Sequence, residues 1–503
     1  MRGTPSVFLL IASASQASLG CNGPLIATVG RISQSADSAP PTGMGLHREG
    51  GVGASSDAGD GGVPTTDAGA RNRDTVQIEP GGRDEFCMRH GPAVRIVSAA
   101  SAASSPAVCN AGVGRRLFSY GLCSCGDALI NSGFSTDSFD SQQHAYGTGP
   151  SALGGAVGIN GALGTQGDFF TLGGTVIVAG RGPLTIANAG SFSGSLKTNA
   201  ALAFNTSLAI SVQGDLWADA DINASEGTTV KGDVYQTPGH ALAASVQVTG
   251  SVHTSEFVVA APCPCGADAV LDVAAIVAEA QHENDNDPLG ISADAFAASK
   301  HDAGVSAQLT CGRVWLDDAV IPADSFSTVA QRLALFVHGD LTVGANFATN
   351  FGPTGELDVF VSGDLKLDGP IGNTDHPTAL RFYVGGSQPI AFGGSLVTFA
   401  AQLYAPNAAV LLEPSPMNFF GSIFAARFEA QGTFESLHYD RAVLELGEAC
   451  DPVTPTPCEQ CVQCPAGLTC RDGRCGACQS TADCCEPMVC SEGTCQPQLA
   501  LTH

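Results

Sequence analysis

One short phrase recurs along the chain: Gly, then Asp or Ser, then Leu, Val or Ile. The starting glycines are 20, 18 and 18 residues apart in a first group, and 24, 31 and 27 residues apart in a second. A unit of about twenty residues is too short to fold alone, so each must bury its apolar side against the next. The repeat therefore predicts an all-β fold, a parallel β-helix or β-solenoid. The eight copies are Gly194-Ser195-Leu196, Gly214-Asp215-Leu216, Gly232-Asp233-Val234, Gly250-Ser251-Val252, Gly339-Asp340-Leu341, Gly363-Asp364-Leu365, Gly394-Ser395-Leu396 and Gly421-Ser422-Ile423.

The segments between the phrases are typical of short strands joined by tight corners. Residues 175–179 (TVIVA) and 208–212 (LAISV) are rich in apolar and β-branched residues and are bounded by Gly or Asn. Glycine supplies 62 of 503 residues, and it suits corners because it adopts positive φ without a steric penalty. The net charge of −26 argues against nucleic acid and anionic membrane surfaces as partners.

The 19 cysteines indicate an oxidising compartment, and the N-terminus predicts the route to it. Arg2 precedes the apolar residues 7–11 (VFLLI), and small residues then lead to Cys21. Residues 1–21 resemble a bacterial lipoprotein signal, with Cys21 as the lipidation site, although Ser18 stands where that pattern prefers Leu. The alternative is an ordinary secretory signal. We expect a lipid-anchored protein of the outer membrane or cell surface, or else a secreted one.

Composition divides the remainder of the chain. Residues 22–85 predict a disordered tether, because they carry too few large apolar side chains to offset the entropy of ordering. Residues 86–450 are the predicted solenoid body, residues 451–457 (DPVTPTP) a Pro/Thr linker, and residues 458–498 a disulfide-rich module.

A helical insert is predicted inside the body, at about residues 266–300. Residues 268–281 (DAVLDVAAIVAEAQ) place apolar side chains at helical spacing, with Asp268 as the expected N-cap. Residues 292–300 are expected to form a second short helix. No run of 18 or more apolar residues occurs that would predict a membrane-spanning helix.

The C-terminal module contains a duplicated unit of the form Cys-x-acid-Gly-x-Cys, at residues 470–475 and 490–495. Its central pair suits a hairpin turn. The second copy, with Cys478 and the adjacent Cys484 and Cys485, resembles the spacing of knottin-like disulfide modules. The resemblance leaves the pairing of these cysteines open.

The paired motifs Cys123-Ser-Cys125 and Cys263-Pro-Cys265 have two interpretations, a four-thiolate metal site or structural disulfides. Zinc sites usually separate paired cysteines by two residues, and this compartment oxidises thiols, so disulfides are favoured. Lipidation of Cys21 would leave an even number, eight in the body and ten in the tail. The disulfide candidates are Cys87, Cys109, Cys123, Cys125, Cys263, Cys265, Cys311, Cys450, Cys458, Cys461, Cys464, Cys470, Cys475, Cys478, Cys484, Cys485, Cys490 and Cys495.

Two further clusters carry polar side chains. In residues 284–287 (NDND), Asp285 and Asp287 are calcium candidates, since Ca²⁺ prefers hard oxygen ligands. The run lacks the spacing, central Gly and closing Glu of an EF-hand, and Asn and Asp are also ordinary turn residues. His438 and Asp440 would share one face of a strand, but no G-x-S-x-G motif accompanies them. We predict no catalytic residue, no other metal site and no cofactor.

Several phrases of the body, read together and in order, resemble an uncharacterised domain of lipoproteins and surface proteins in myxobacteria and related bacteria. The resemblance extends over residues 86–450 and implies a β-solenoid of unknown molecular function, with no catalytic residue to transfer. The phrases are residues 117–125 (LFSYGLCSC), 138–141 (SFDS), 284–287 (NDND), 335–340 (LFVHGD), 404–407 (YAPN) and 438–440 (HYD).

The expected function is that of a non-enzymatic, surface-exposed lipoprotein with a structural, adhesive or scaffold role. Its expected partners are the membrane, through the lipid, and a surface polysaccharide or protein, with self-association through the ends of the solenoid. Two alternatives remain: a β-helical enzyme acting on polysaccharides, and a carrier for an inhibitor-like cystine-rich module.

Overall fold

The computed structural model describes most of the predicted body and short pieces of the tail. The described residues are 75–79, 81–97, 112–131, 133–149, 154–167, 169–204, 209–224, 227–299, 309, 311–392, 397–413, 416–432, 434–446, 469–471, 474–476, 484, 488–491 and 494–497. All of them belong to the second of two compact units, which begins at Ala68. Cys21, Cys109, Cys450 and the linker lie outside the described residues, as do most of the tether and tail.

The prediction of an all-β parallel solenoid is confirmed: the chain coils through about 12 turns. The turns build three parallel sheets, A, B and C, mostly from short strands. In most strands the central side chain points outwards and its two neighbours point inwards. This pattern is what alternation along a strand requires when one face is buried.

Sheet A runs the length of the stack and sets the numbering of the turns used below. Its strands, from turn 1 to turn 12 and one strand beyond, are β21 (Gly312–Leu316), β24 (Arg332–Val337), β27 (Glu356–Val361), β30 (Leu380–Val384), the middle of β32 (Thr398–Leu412), the middle of β33 (Met417–Ala430), β3 (Leu122–Ser124), β6 (Val157–Ile159), β9 (Val176–Val178), β12 (Leu196–Thr198), β15 (Leu216–Ala218), β18 (Val234–Gln236) and β20 (Val252–Thr254).

Sheets B and C follow the same order of turns. Sheet B contains β22 (Ala319–Ile321), β25 (Leu341–Val343), β28 (Leu365–Leu367), β31 (Ile390–Phe392), the ends of β32 and β33, β4 (Ala128–Ile130), β7 (Leu163–Thr165), β10 (Leu184–Ile186), β13 (Leu202–Phe204) and β16 (Ile222–Ala224). Sheet C contains β23 (Thr328–Val329) paired with β26 (Asn350–Phe351), then β29 (Ile371–Gly372), the starts of β32 and β33, β34 (Phe434–Asp440), β5 (Gly133–Phe139), β8 (Phe170–Leu172), β11 (Gly190–Phe192), β14 (Ile210–Val212), β17 (Thr228–Val230) and β19 (Gln247–Val248).

The turns do not stack in the order of the chain. Turns 1 to 6 come from residues 312–440, and turns 7 to 12 come from residues 122–248. The last strand of the C-terminal half, β34, pairs in parallel with β5, so that His438 lies beside Asp137. The later half of the sequence therefore lies beneath the earlier half, and one hydrophobic core runs through both.

The interior is a set of apolar columns, one residue per turn. On sheet A the column through turns 8 to 12 contains Val157, Val176, Leu196, Leu216 and Val234, and all five are fully buried. A single turn cannot enclose such a residue, so burial depends on the turns on either side.

The repeated phrase is explained by a hydrogen bond from each turn to the one before. The backbone N–H of Asp233 donates to Oδ1 of Asp215 (2.9 Å), and that of Ser251 donates to Oδ1 of Asp233 (2.7 Å). Glycine precedes the acid because a β-carbon on Gly232 would lie 2.3 Å from Oδ1 of Asp215. The carboxylate of one turn thus occupies the space that a side chain of the next would need.

The phrase occurs at two corners and not at one. In the first group it precedes the strands of sheet A, whereas Asp340 and Asp364 precede strands of sheet B. The copy at Ser422 lies inside β33, where its hydroxyl donates to Oε1 of Gln402 (2.6 Å). The copy at residues 394–396 lies outside the described residues.

The predicted insert is a return path and not a simple interruption. After β20 the chain runs back beside turns 10 to 8, where Asn199 and Asn160 bond the backbone of Val259 and Cys263. Helix α3 (Val273–Ala280) and helix α4 (Asn286–Leu289) follow. The predicted N-cap was wrong: Asp272, and not Asp268, caps α3 by accepting from the N–H of Ala275. Where a second short helix is predicted, residues 293–296 form turns and residues 298–299 have 3-10 helical conformation.

The end of the predicted tether is folded. Strand β1 (Thr75–Ile78) pairs antiparallel with β2 (Val94–Val97), and helix α1 (Arg83–Met88) lies between them. The body therefore begins before residue 86, which corrects the predicted boundary. Other short helices in the described residues are α2 (Val113–Leu117) and the 3-10 segments Pro377–Ala379 and Arg441–Glu445. None of the described helices is long and apolar enough to span a bilayer.

The duplicated unit of the tail forms two antiparallel hairpins, as its turn residues predict. Strand β35 (Thr469–Arg471) pairs with β36 (Arg474–Gly476), and β37 (Met488–Ser491) pairs with β38 (Thr494–Pro497). In each hairpin the two cysteines of the unit lie directly opposite one another.

Candidate functional site

The outward face of sheet A carries aromatic side chains at the same register position in successive turns. In turns 1 to 6 this column contains Trp315, Phe336, Phe360, Tyr383, Tyr404 and Phe424. The insert covers it. The indole N–H of Trp315 donates to the carbonyl oxygen of Val277 (3.1 Å), and the hydroxyl of Tyr404 accepts from the N–H of Leu271 (2.9 Å). Burial raises the pKa of Tyr404 to about 12, so this phenol stays neutral.

The same column becomes accessible in turns 10 to 12 and in β20. We call Lys197, Trp217, Tyr235 and His253 the exposed ladder. The rings of Trp217 and Tyr235 are stacked 3.7 Å apart at 10°, and Tyr235 stacks on His253 at 4.9 Å. The ammonium of Lys197 lies 5.9 Å from the centre of the Trp217 ring. The rings of this cluster are half-buried or exposed, whereas those of turns 1 to 6 are buried.

Carboxylates flank the exposed ladder. Asp233 lies 3.4 Å from Nε2 of His253, and its pKa is lowered mainly by the N–H of Ser251 and further by His253. Burial lowers the pKa of Lys197, and the neighbouring Asp215 partly opposes that shift. Burial, together with the two aspartates, raises the pKa of Tyr235. The ladder and its flanking residues therefore bring together one ammonium group, two carboxylates and three rings.

In the exposed ladder, both faces of the Trp217 ring and both faces of the Tyr235 ring are occupied. Trp217 is covered by Tyr235 on one side and approached by Lys197 on the other, and Phe257 meets its edge at 5.4 Å. Sugar binding by stacking needs an accessible ring face, whereas here the faces stabilise the coil. Trp217 and Tyr235 are only half-exposed, whereas His253, the last ring of the ladder, is exposed. The sequence did not predict these residues as a site, although each follows the aliphatic residue of a repeated phrase.

His438 does not act with Asp440. Its Nδ1 lies 2.7 Å from Oδ1 of Asp137, whose other oxygen accepts from the hydroxyl of Tyr146 (2.7 Å). Asp440 instead accepts from the backbone N–H groups of Ser141 and Ala442. The cluster joins turn 6 to turn 7, and His438 is almost fully buried beneath Tyr146. Its geometry locks the two halves of the body together.

A second polar cluster lies on sheet A, in turns 3 and 4. The fully buried guanidinium of Arg381 donates to Asp358 (2.6 Å) and Glu356 (2.8 Å). The N–H of Ala93 donates to Asp358 (2.6 Å), which ties the N-terminal segment to the sheet. Burial opposes the charge of Arg381, but the two carboxylates outweigh it and raise its pKa. Every charge here is matched within the chain.

The calcium candidates lie at turn 1. One oxygen of Asp285 accepts from the backbone N–H of Arg313 (2.8 Å), and its side chain also bonds that guanidinium. Asn286 bonds the backbone N–H and carbonyl of Trp315. The side-chain oxygens of Asp285 and Asn286 therefore accept hydrogen bonds from the backbone edge of turn 1. Within the described parts of the chain, no three His, Cys, Asp or Glu side chains converge on a common metal position.

Six of the candidate cysteines form disulfides in the body. Cys87 bonds Cys311 at the first turn, while Cys123 bonds Cys263 and Cys125 bonds Cys265. We call the last two the staple disulfides, because they fasten the returning insert to turn 7. Cys470 and Cys484 of the tail are also disulfide-bonded. The paired motifs that suggested a four-thiolate metal site are thus joined to each other as two disulfides.

Comparison with known proteins gives one family. Residues 267–446 match the family described as "Domain of unknown function (DUF7305)". The match covers helices α3 and α4 and turns 1 to 6, which is a smaller part of the body than the resemblance in the sequence suggested. No curated protein and no solved structure matches the chain.

Proposed function

We propose that this protein is a non-enzymatic, exported scaffold, held to the bacterial envelope by a lipid on Cys21. One observation carries the proposal: three disulfides fasten the solenoid at its first turn and at the junction of its halves. Such bonds form and persist outside the reducing cytosol. They make a long stack resistant to fraying, which is a property of a structural or adhesive surface element.

The polar clusters of the body support a structural role. Arg381, Asp358 and Glu356 hold the N-terminal segment, and His438 with Asp137 holds the junction of turns 6 and 7. A catalytic group needs a free face toward a substrate. These side chains instead form hydrogen bonds with other residues of the body, which favours a scaffold over an enzyme.

The polysaccharide-acting enzyme makes a different prediction, because it would require carboxylates that converge on a bound sugar. Asp215 and Asp233 are the most suitable pair, since both flank the exposed ladder. One oxygen of each is engaged by the backbone of the next turn. Release of reducing ends from neutral or acidic polysaccharides, abolished by Asp215→Asn or Asp233→Asn, would establish the enzyme and retire the scaffold.

The test of the proposal is mass spectrometry of the native N-terminus together with fractionation of the cell. We expect diacylglyceryl on Cys21, a mature chain that begins there, and recovery in the envelope fraction. The Cys21→Ser variant should leave that fraction, whereas a Ser18→Leu variant should stay in it. An unmodified Cys21 in a freely secreted chain would contradict anchoring.

The tail supplies the reason for a second candidate, a carrier of an inhibitor-like module. Two hairpins with cysteines directly opposite one another are typical of small stapled modules. The full chain and a chain ending before residue 451 would be compared for inhibition of a panel of secreted proteases. Inhibition only by the full chain would support the carrier, and equal results would retire it.

A further inference from the structure

The two ends of the solenoid are finished differently, and the end at turn 1 is capped. The insert occupies the hydrogen-bonding edge of sheets A and B in that turn. The side chain of Asn286 accepts a hydrogen bond from the backbone N–H of Trp315 (2.9 Å). The carbonyl oxygen of Ala293 accepts from the N–H of Asp317 (2.9 Å), and the carbonyl oxygen of Phe296 accepts from the N–H of Val320 (2.8 Å). The inward residues there, such as Val314 and Ile321, are buried. We call this the capped end.

The end at turn 12 has the opposite character. Its inward positions are Leu242 on sheet B, Val248 on sheet C and Val252 in β20. Their partners one turn below, Ile222, Val230 and Val234, are fully buried. Val252 is 53% exposed, and the other two are partly exposed. We call this the open end, because the apolar interior of all three sheets reaches solvent here.

The backbone at the open end can still pair. Among the strands that the structure describes, β20 pairs only with β18, and β19 only with β17. Exposed edge strands usually carry charged side chains that prevent pairing with another chain. Residues 234–255 contain no Lys, Arg, Asp or Glu, in a chain whose net charge is −26.

The lack of charge at the open end, in a chain that is otherwise acidic, favours a second copy of this chain as the partner. Two copies repel each other through most of their surfaces, because both are strongly acidic. Residues 234–255, which form the open end, can meet a second copy without formal charges of their own in the contact. The open end offers a copy of itself matching apolar positions together with free backbone donors and acceptors. The same chemistry on both sides is what a two-fold symmetric interface requires.

We propose that two copies of this chain associate head to head through their open ends. A two-fold axis at the contact makes β20 of one copy run antiparallel to β20 of the other, so their edges exchange backbone hydrogen bonds. Val252 and its counterparts on sheets B and C then become buried, as they are in every lower turn. The capped end cannot take a further copy, so the product is a dimer and not a filament.

The experiment is sedimentation velocity of the full exported chain over a range of concentrations. All samples carry Cys21→Ser, so that no lipid contributes to association. We expect a monomer–dimer equilibrium without larger species. Val252→Lys places a charge on each side of the contact and should raise the dissociation constant by more than roughly 30-fold.

The matched control is Val397→Lys, since Val397 is 45% exposed and lies in the lower half of the stack. It should leave the dissociation constant unchanged. Both variants should keep the circular dichroism of the parent, because both side chains already face solvent. Amide exchange should slow in β20 on dimerisation and stay constant in β21.

Three outcomes would overturn the proposal. The first is a monomer at all concentrations, and the second is a dimer that Val252→Lys and Val397→Lys weaken equally. The third is a series of larger oligomers, which would mean that the capped end also accepts a copy. A monomer whose β20 amides are nonetheless protected would assign the open end to another segment of the same chain. None of these results bears on lipidation of Cys21, so the proposed anchoring stands or falls separately.

Discussion

Replacing Gly232 by Ala tests the physical origin of the repeat. The added β-carbon would lie 2.3 Å from Oδ1 of Asp215 and 2.6 Å from the backbone carbonyl of Gly214. Rotation of Asp215 would relieve the first contact, but it would also break the bond to the N–H of Asp233 (2.9 Å). The second contact is with backbone and remains. The loss of that bond costs about 1 kcal/mol, and overpacking against backbone costs about 1–3 kcal/mol. We therefore expect a loss of about 2–4 kcal/mol.

The position of this loss can be predicted as well as its size. In a stack, stability is close to a sum of contacts between neighbouring turns. A weakened contact between turns 11 and 12 therefore frees the turns above it and leaves those below intact. A loss of 2 kcal/mol corresponds to roughly 30-fold faster opening. We expect amide exchange in β18 and β20 to accelerate by at least that factor, with no change in β24.

The assay is hydrogen exchange read by mass spectrometry, at a concentration where the chain is monomeric. Gly266→Ala is the matched control, because a β-carbon there would meet nothing within 4 Å. It should exchange like the parent throughout. Unchanged exchange in Gly232→Ala, or equal acceleration in both variants, would refute the explanation of the repeat given above.

Three further predictions concern the buried charges and the disulfides. Arg381→Leu should lower the free energy of unfolding by about 3–5 kcal/mol, because it leaves the buried Asp358 without its partner. Lys366→Leu, at an exposed ion pair, is the control and should change that free energy by less than about 1 kcal/mol. Both values would be measured by denaturant titration. Arg381 lowers the pKa of Glu356 against the effect of burial, so the stability that this carboxylate contributes is present above its ordinary value near 4.5 and is lost as the pH falls below it. Glu356→Gln should flatten the fall in stability between pH 5 and 3, and a slope equal to that of the parent would contradict the assignment. The two staple disulfides close nearly the same loop, so replacing either pair of cysteines by Ala should lower the free energy of unfolding only slightly. Replacing both pairs should lower it by about 4–5 kcal/mol, because the loop in the unfolded chain is then no longer closed. Equal losses for one pair and for both pairs would contradict this.

Local features of the fold could be predicted from the sequence because they depend on neighbouring residues. The Gly-Asp phrase predicts corners, and the strands after Asp215 and Asp233 begin where it ends. The hairpins of the tail follow from the turn residues between their cysteines. The capping residue of α3 was misplaced by four positions, since Asp268 and Asp272 both satisfy the same local preference.

The order of the turns could not be predicted, because it depends on contacts between distant residues. Parallel strands of similar pattern pair equally well with any turn of the same length. Nothing near His438 indicates that its partner is Asp137, which lies 301 residues away. Likewise, Asp285 appears as a turn residue or metal ligand until the edge of turn 1 is seen beside it. The exposed ladder could have been found by aligning the residue after each repeated phrase.

The central claim is that the C-terminal half of the body lies beneath the N-terminal half. Lys366 and Asn223 occupy the same outward column of sheet B, in turns 3 and 11, and both are exposed. Stacked strands are about 4.8 Å apart, so eight steps place these two positions about 38 Å apart. A stack in the order of the chain would separate them by about four steps, or about 19 Å.

The decisive measurement is the distance between spin labels at Lys366 and Asn223 by double electron–electron resonance. The labels would be introduced as non-canonical amino acids, which leaves the native cysteines untouched. With the C-terminal half beneath the N-terminal half, we expect a single distribution centred near 38 Å. A distribution near 19 Å would contradict it and restore the order of the chain.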